Sequence, residues 1–360
     1  MKIVIVGAGP GGATAALQLA RQRRHEVVLL DRDEFPRHKT CGSGLGPRCL
    51  DVLKELNLFE TLRPKALSIR GLRFVSPGMK EAVLASNVEA AWIIPRETFD
   101  AEIAFTAERE GADFIQGFNA KRLLRDPSGR IRGISDGKQE VEGDLILFAD
   151  GAHSRFSIDK RKRQQIAAIM AWYEGVPYTD GVLEMWFDRR VKPWYGWLFP
   201  ETKTRVNVGI CYDPDDPQDP KQILNEVVAR NLGDRMRGAT QVGKYKGHPI
   251  VYTRNIGPIT APGAIWIGEA ARLTNASTGE GISYAMRSAC VAAEVIAAHE
   301  QPGYSMYTDY TQRTVQKFSL PMHTAVGFMN FVKTPAFDFV SSLVTSRVVQ
   351  SPMRWLLANV

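Results

Sequence analysis

"MKIVIVGAGPGGATAALQLARQRRHEVVLLDRD", residues 1–33, packs a strand, a helix and a second strand into one short stretch. Lys2–Val6 is a short apolar run, Gly11–Arg23 has helical periodicity, and Glu26–Asp31 is a second apolar run. Gly7, Gly9 and Gly12 stand in GxGxxG spacing at the first strand-to-helix turn. The first glycine permits the tight turn, the second lets a pyrophosphate approach the backbone, and the third lets helix and strand pack closely. The helix N-terminus adds free N–H groups and partial positive charge. Asp31 follows Gly12 by 19 residues, where a carboxylate can bond an adenosine ribose. Gly11 and Arg32, beside these positions, are assigned to the same site. The fingerprint reads the ADP half common to NAD and FAD, so it does not choose between them.

Outward from this unit the bulk properties narrow the class. The chain has 360 residues, 44% hydrophobic and 24% charged, as expected of a soluble globular protein with a sizeable core. No apolar run reaches the length of a membrane span, and the first strand starts at Lys2, so a cytoplasmic protein without a signal peptide is expected. Cys41, Cys49, Cys211 and Cys290 lack the spacing of a disulfide framework or a zinc site, so no metal is expected. A net charge of +7 favours anionic partners. The densest basic run, "DKRKRQQ" at 159–165, reads as a solvated connector, and no nucleic-acid module accompanies it.

Further along, 45–58 is predicted helical, and Leu72–Val75 and Ala82–Leu84 are predicted strands. In "AAWIIPRETFDAEIAFTAEREGADF" (90–114) a strand leads to a helix with Thr98 as N-cap and Gly111 as its stop. A hairpin is expected around Asp136–Gly137, then a buried strand Leu145–Ala149 running into Asp150–Gly151. From about 160 to 255 strands dominate, interrupted by one helix at 218–232; the last sixty residues read as helices broken at Pro321, Pro335 and Pro352. Tyr195, Trp197 and Phe199 alternate and so share one strand face, which Pro200 closes. In "IWIGEAARLTNASTGEGISYA" (265–285) an apolar strand ends on Glu269, and Gly279 and Gly281 bracket Glu280 before a helix. A buried strand that ends on a carboxylate and leads into backbone-exposing residues points to a polar ligand at that junction.

Three blocks resemble flavoproteins of the p-hydroxybenzoate-hydroxylase fold: the glycine fingerprint, "FADGAHSRF" (148–156) and "IGEAARL" (267–273). Three more, "KTCGSGLGPR" (39–48), "YGWLFPETKTRVNVG" (195–209) and "TGEGI" (278–282), resemble the geranylgeranyl reductases. The likeness implies an α/β fold. A discontinuous Rossmann-like FAD-binding domain (1–70, 96–160 and 255–300) would carry an inserted antiparallel-sheet substrate domain (71–95 and 161–254), followed by a helical C-terminal region (301–360). It implies FAD as resident cofactor. Asp150 and Gly151 would lie near the pyrophosphate and ribityl chain, and Glu269 beside Gly268 would bond the ribityl hydroxyls, although the family usually has aspartate there. Gly279, Gly281 and Ile282 would meet the isoalloxazine. Arg96 would approach the phosphates, its alternative being a surface ion pair. Glu280 reads as a proton relay or, preferably, a solvated side chain.

By the same resemblance Cys41 and Gly42 flank the flavin and the substrate's reactive end. Tyr195, Trp197, Phe199 and Pro200 would wall an apolar tunnel, which Met185, Trp186 and the helix "HTAVGFMNFVK" extend or merely support. Arg189, Arg190 and Lys192 are candidates for holding an anionic head group. The implied activity is reduction of C=C bonds in a polyprenyl (geranylgeranyl) chain by hydride from reduced flavin. The alternatives are a flavin-dependent hydroxylase of an aromatic or small metabolite, then a halogenase with Lys80 as its catalytic lysine, then a non-enzymatic flavoprotein. NAD(P)H or a donor protein would supply electrons transiently. The basic balance and amphipathic C-terminal helices also suit a peripheral membrane contact.

Overall fold

The computed structural model describes residues 1–85 and 87–345. Lys2–Val6 lies between Glu26–Leu30 and Leu145–Phe148, parallel to both. Asp113–Ile115 continues the sheet on one side and Ala264–Trp266 on the other, with Thr260–Ala261 as an antiparallel edge. These strands are buried on both faces, which explains their unbroken apolar runs. In chain order the helices among the described residues are α1 (Pro10–Gln22), α2 (Pro47–Glu55), α3 (Phe59–Leu62), α4 (Arg96–Arg109), α5 (Pro220–Leu232), α6 (Ile282–Ala297), α7 (Tyr304–Val332) and α8 (Pro335–Val344). α1 packs between α4 and α6, and its face of small residues permits the approach.

The second large sheet has seven strands in the order 240–252, 164–174, 205–212, 196–200, 182–186, 71–75, 81–85. Its pairings are antiparallel except between 71–75 and 182–186. α5 covers one face through Ile223, Leu224 and Val227. The other face carries Met170, Tyr195 and Trp197, and α7 brings Ala325, Val326 and Met329 to the same cluster. Ala91–Ile93 pairs with Gly44–Leu45 and Leu67–Ile69 in a separate three-stranded sheet.

Several local expectations shift. α4 begins at Arg96 directly after Pro95, so Thr98 lies inside the first turn, and its N–H donates to the Pro95 carbonyl. Proline fixes its own φ and launches the helix without a side-chain cap. Pro321 does not break α7, which continues from Tyr304 to Val332. Phe318 and Met322 are buried on either side of it, and their packing overrides the lost backbone bond. The break before Pro335 is present, and Pro352 lies outside the described residues. Among the described residues no helix is long and apolar enough to cross a membrane.

Candidate functional site

The glycine turn is built for close backbone approach. Gly7 sits at φ +100°, and a Cβ on Gly12 would lie 1.8 Å from the Gly7 carbonyl oxygen. A Cβ on Gly11 would press on Ala285 of α6, at 3.3 Å from its Cβ. α1 has no side-chain cap at Gly9, which leaves its first N–H groups for a ligand. Asp31 lies just beyond its strand; its carboxylate accepts from the Ala8 N–H at 2.7 Å and the Asp33 N–H at 3.0 Å. Burial raises its pKa, opposed by Arg37. Arg32 stands at the rim.

Arg96 is buried and forms a bidentate pair with Asp100, both bonds 2.7 Å. Arg37 approaches the same carboxylate at 3.2 Å. The surface ion pair considered for Arg96 is therefore replaced by an enclosed Arg–Asp–Arg cluster at the cavity wall. Asp150 Oδ1 is buried without a hydrogen-bond partner, and burial pushes its carboxyl up to about 6. An orphaned acceptor of this kind beside Gly151 (φ +74°) suits the hydroxyls of a ribityl chain.

Glu269 uses the extra methylene that sets it apart from aspartate. Its Oε1 accepts from the Val251 N–H at 2.8 Å, tying the end of the parallel sheet to the seven-stranded sheet. Burial pushes this carboxyl up to about 7, against the Val251 bond and Lys39. Gly268 and Gly279 have φ of +57° and +68°. Glu280 is not a free solvated side chain, because its Oε1 accepts from the Ser283 N–H at 2.8 Å and caps α6. Gly281 and Ile282 open that helix.

These residues share one cavity of about 1020 Å³ with the seven-stranded sheet. Cys41 and Gly42 line it, and a Cβ on Gly42 would meet the Phe199 ring at 3.2 Å. Tyr195, Trp197 and Phe199 line the far wall with Met170, Leu183 and Met185. Trp197 faces Gly209 across the strands, and any Cβ there would lie 2.3 Å from the indole. The last glycine of "YGWLFPETKTRVNVG" thus exists to seat the tryptophan. Trp197 Nε1 donates to Asn207 Oδ1 at 2.7 Å, and the Tyr195 hydroxyl donates to the Thr278 carbonyl at 2.5 Å. Burial raises the Tyr195 pKa well above its ordinary value, so it stays neutral.

Other expected residues fall elsewhere. Pro200 is buried at the strand end and does not line the cavity, because it follows the alternating face. Trp186 packs on the opposite face, and "HTAVGFMNFVK" supports the wall from outside. Arg190 is held by Asp216, while Lys192 and Arg189 pair with Asp338, so none of the three reaches the cavity. Lys80 also lies outside it, donating to Ser342 Oγ at 2.8 Å.

Sequence reasoning missed Lys39 and His248. Lys39 Nζ lies 2.9 Å from His248 Nε2, and both line the cavity. Burial and Arg96 lower Lys39 to about 8; burial and Lys39 lower His248 to about 3. Lys39 lay in view at the head of "KTCGSGLGPR". His248 gave no signal, because only its pairing opposite Ala168 brings it there.

The FAD-binding-domain family matches residues 1–241. The chain belongs to that family. It is an FAD-dependent oxidoreductase, and this FAD-binding flavoprotein has reductases among its relatives. A menaquinone reductase of Mycolicibacterium smegmatis is 27% identical over 84% of this chain and 78% of its own. A digeranylgeranylglycerophospholipid reductase of Methanothrix thermoacetophila is 28% identical over 82% and 77%. A geranylgeranyl bacteriochlorophyll reductase-like protein from Thermoplasma acidophilum shares the fold, with a TM-score of 0.85 at 21% identity, covering 99% of this chain and 95% of that one.

Proposed function

We propose that this flavoprotein reduces C=C bonds in the polyprenyl chain of a geranylgeranyl-type lipid. The observation that carries the reading is the meeting of the Cys41–Gly42 loop with the Tyr195–Trp197–Phe199 wall inside the cavity that also holds the glycine turn. Relatives named for a menaquinone and a digeranylgeranyl phospholipid, both isoprenoid lipids, support an apolar substrate.

The site fits FAD. Gly7, Gly9, Gly11 and Gly12 with Arg96 would cradle its phosphates, and Asp31 with Arg32 its adenosine end. Asp150, Gly151, Gly268 and Glu269 would hold the ribityl chain, and Gly279, Gly281 and Ile282 the ring. Bound and reduced, FAD supplies a hydride. The chain does the rest. The aromatic wall excludes water and aligns the alkene, and the wall's hydrogen bonds to Asn207 and Thr278 keep its rings from turning. The proton that the alkene would also need we assign to Cys41 Sγ, which lines the cavity together with Lys39. The two-electron donor that reduces the flavin, NAD(P)H or a donor protein, acts between turnovers.

The test is anaerobic. Flavin in the purified protein is reduced, geranylgeranyl diphosphate is added, and the oxidised flavin band is followed. Its return, matched by a two-hydrogen mass gain in the lipid, is the expected result. Flavin that stays reduced with prenyl lipids until oxygen enters would put a hydroxylase in its place.

A further inference from the structure

A second cavity of about 550 Å³ lies where the 159–165 run meets the end of α7. It shares no lining residue with the FAD cavity. Arg161, Lys162, Arg163, Arg272 and Lys333 line it, against Asp213 and Asp215. Asp159, next to it, serves two of the cations: it pairs with Arg161 at 2.6 Å and with Arg272 at 3.2 Å. Among the described residues no carboxylate lies in ion-pair range of Lys162, Arg163 or Lys333. Asp213 is occupied in its own turn, accepting from the Asp215 N–H at 3.0 Å. Trp194 and Tyr252 form an apolar flank.

A cluster of cations with too few counter-ions is costly to hold together, and a solvated surface would let it spread. Here two of its members are pinned. Arg272 is 5% exposed in left-handed backbone (φ +60°), with its guanidinium bonded to the Asp159 and Arg161 carbonyls at 2.8 and 3.1 Å. Arg163 is fixed by donating to the Ala152 and Ser154 carbonyls at 3.3 and 2.9 Å.

We propose that this cavity binds a phosphate-bearing ligand at a site separate from the FAD cavity. Phosphate oxygens suit several lysine and arginine donors at once. The site is also wired to the redox centre. Arg163 bonds the Ala152 and Ser154 carbonyls just after the Asp150–Gly151 turn, and Trp194 Nε1 donates to the Ala276 carbonyl of the 274–281 loop at 3.1 Å. The phosphate has two chemical sources, a nicotinamide nucleotide reductant or the diphosphate of a prenyl lipid. The proposal does not rest on the prenyl-reductase reading.

The test is calorimetric titration of the FAD-loaded protein with inorganic pyrophosphate. Lys162→Glu combined with Lys333→Gln, both exposed and without ion pairs, is expected to weaken binding about tenfold or more and to leave FAD content unchanged. Asp213→Asn with Asp215→Asn, which keeps the turn's acceptors, is expected to tighten it. Equal pyrophosphate affinity in all three proteins overturns the proposal, as does no binding to the unaltered protein at millimolar concentration. Competition by NADPH and not NADH assigns the phosphate to the nucleotide; competition by geranylgeranyl diphosphate assigns it to the lipid.

Discussion

Glu269 joins two parts of the molecule with one carboxylate, and its protonation should be visible in stability. Its folded pKa, raised to about 7 by burial, stands above the ordinary value near 4.5. The favourable contribution is therefore complete below about pH 4.5 and is lost as pH rises towards 7. Lys39, lowered to about 8, titrates above this window and leaves the sign unchanged. His248, lowered to about 3, acts in the opposite sense over the same window, so the Glu269 contribution is read by difference. In urea unfolding of the FAD-free protein across pH 5–7, the stability of the unaltered protein relative to Glu269→Gln should fall as pH rises. At the aromatic face of the cavity, Trp197→Phe removes the donor to Asn207, a residue 1% exposed. An unpaired buried amide costs about 1–3 kcal/mol. Denaturant midpoints should show that loss while FAD content holds, and KM for the prenyl substrate should rise.

At the scale of elements, the turn into α1 tolerates the least. A Cβ at residue 12 would overlap the Gly7 carbonyl, so Gly12→Ala must force strand and helix apart, at a cost of about 3 kcal/mol. Absorbance of the purified variant should show little retained flavin, and its melting temperature should fall. In the seven-stranded sheet, Glu184 is 2% exposed and accepts from Arg73 at 2.6 Å and Arg235 at 2.6 Å. It clamps the parallel pair 71–75 and 182–186 at the sheet's irregular junction. Glu184→Leu leaves Arg73 only Glu81 and Arg235 only the Pro177 carbonyl, and should destabilise by about 2 kcal/mol, read by urea unfolding. Flavin content should stay near normal, since Glu184 is outside the FAD cavity.

For the whole molecule, the cavity we assign to FAD is walled by both large sheets, so occupancy should couple them. A ligand at a hundred times its Kd stabilises by about 2.7 kcal/mol. Removing FAD should lower Tm by about 3–4 °C, and adding it back should restore the loss. A single cooperative transition in both states would follow from the Glu269–Val251 bond and the Tyr195–Thr278 bond across the junction.

What the sequence determined by itself was local. The βαβ unit, the glycine spacing, the aromatic alternation and the strand that ends on Glu269 are properties of contiguous residues, because turn geometry and the periods of helix and strand need no distant partner. Even the Trp197–Gly209 fit was half visible, since both ends belong to one hairpin. Distant pairing lay beyond it. Lys39 meets His248 across 209 positions only because a strand register carries the histidine there. Arg189, Arg190 and Lys192 are neutralised by carboxylates from other elements, whereas Lys162, Arg163 and Lys333 are not. Whether a cation is free for a ligand depends on which carboxylates the fold places beside it, and only the tertiary structure decides that.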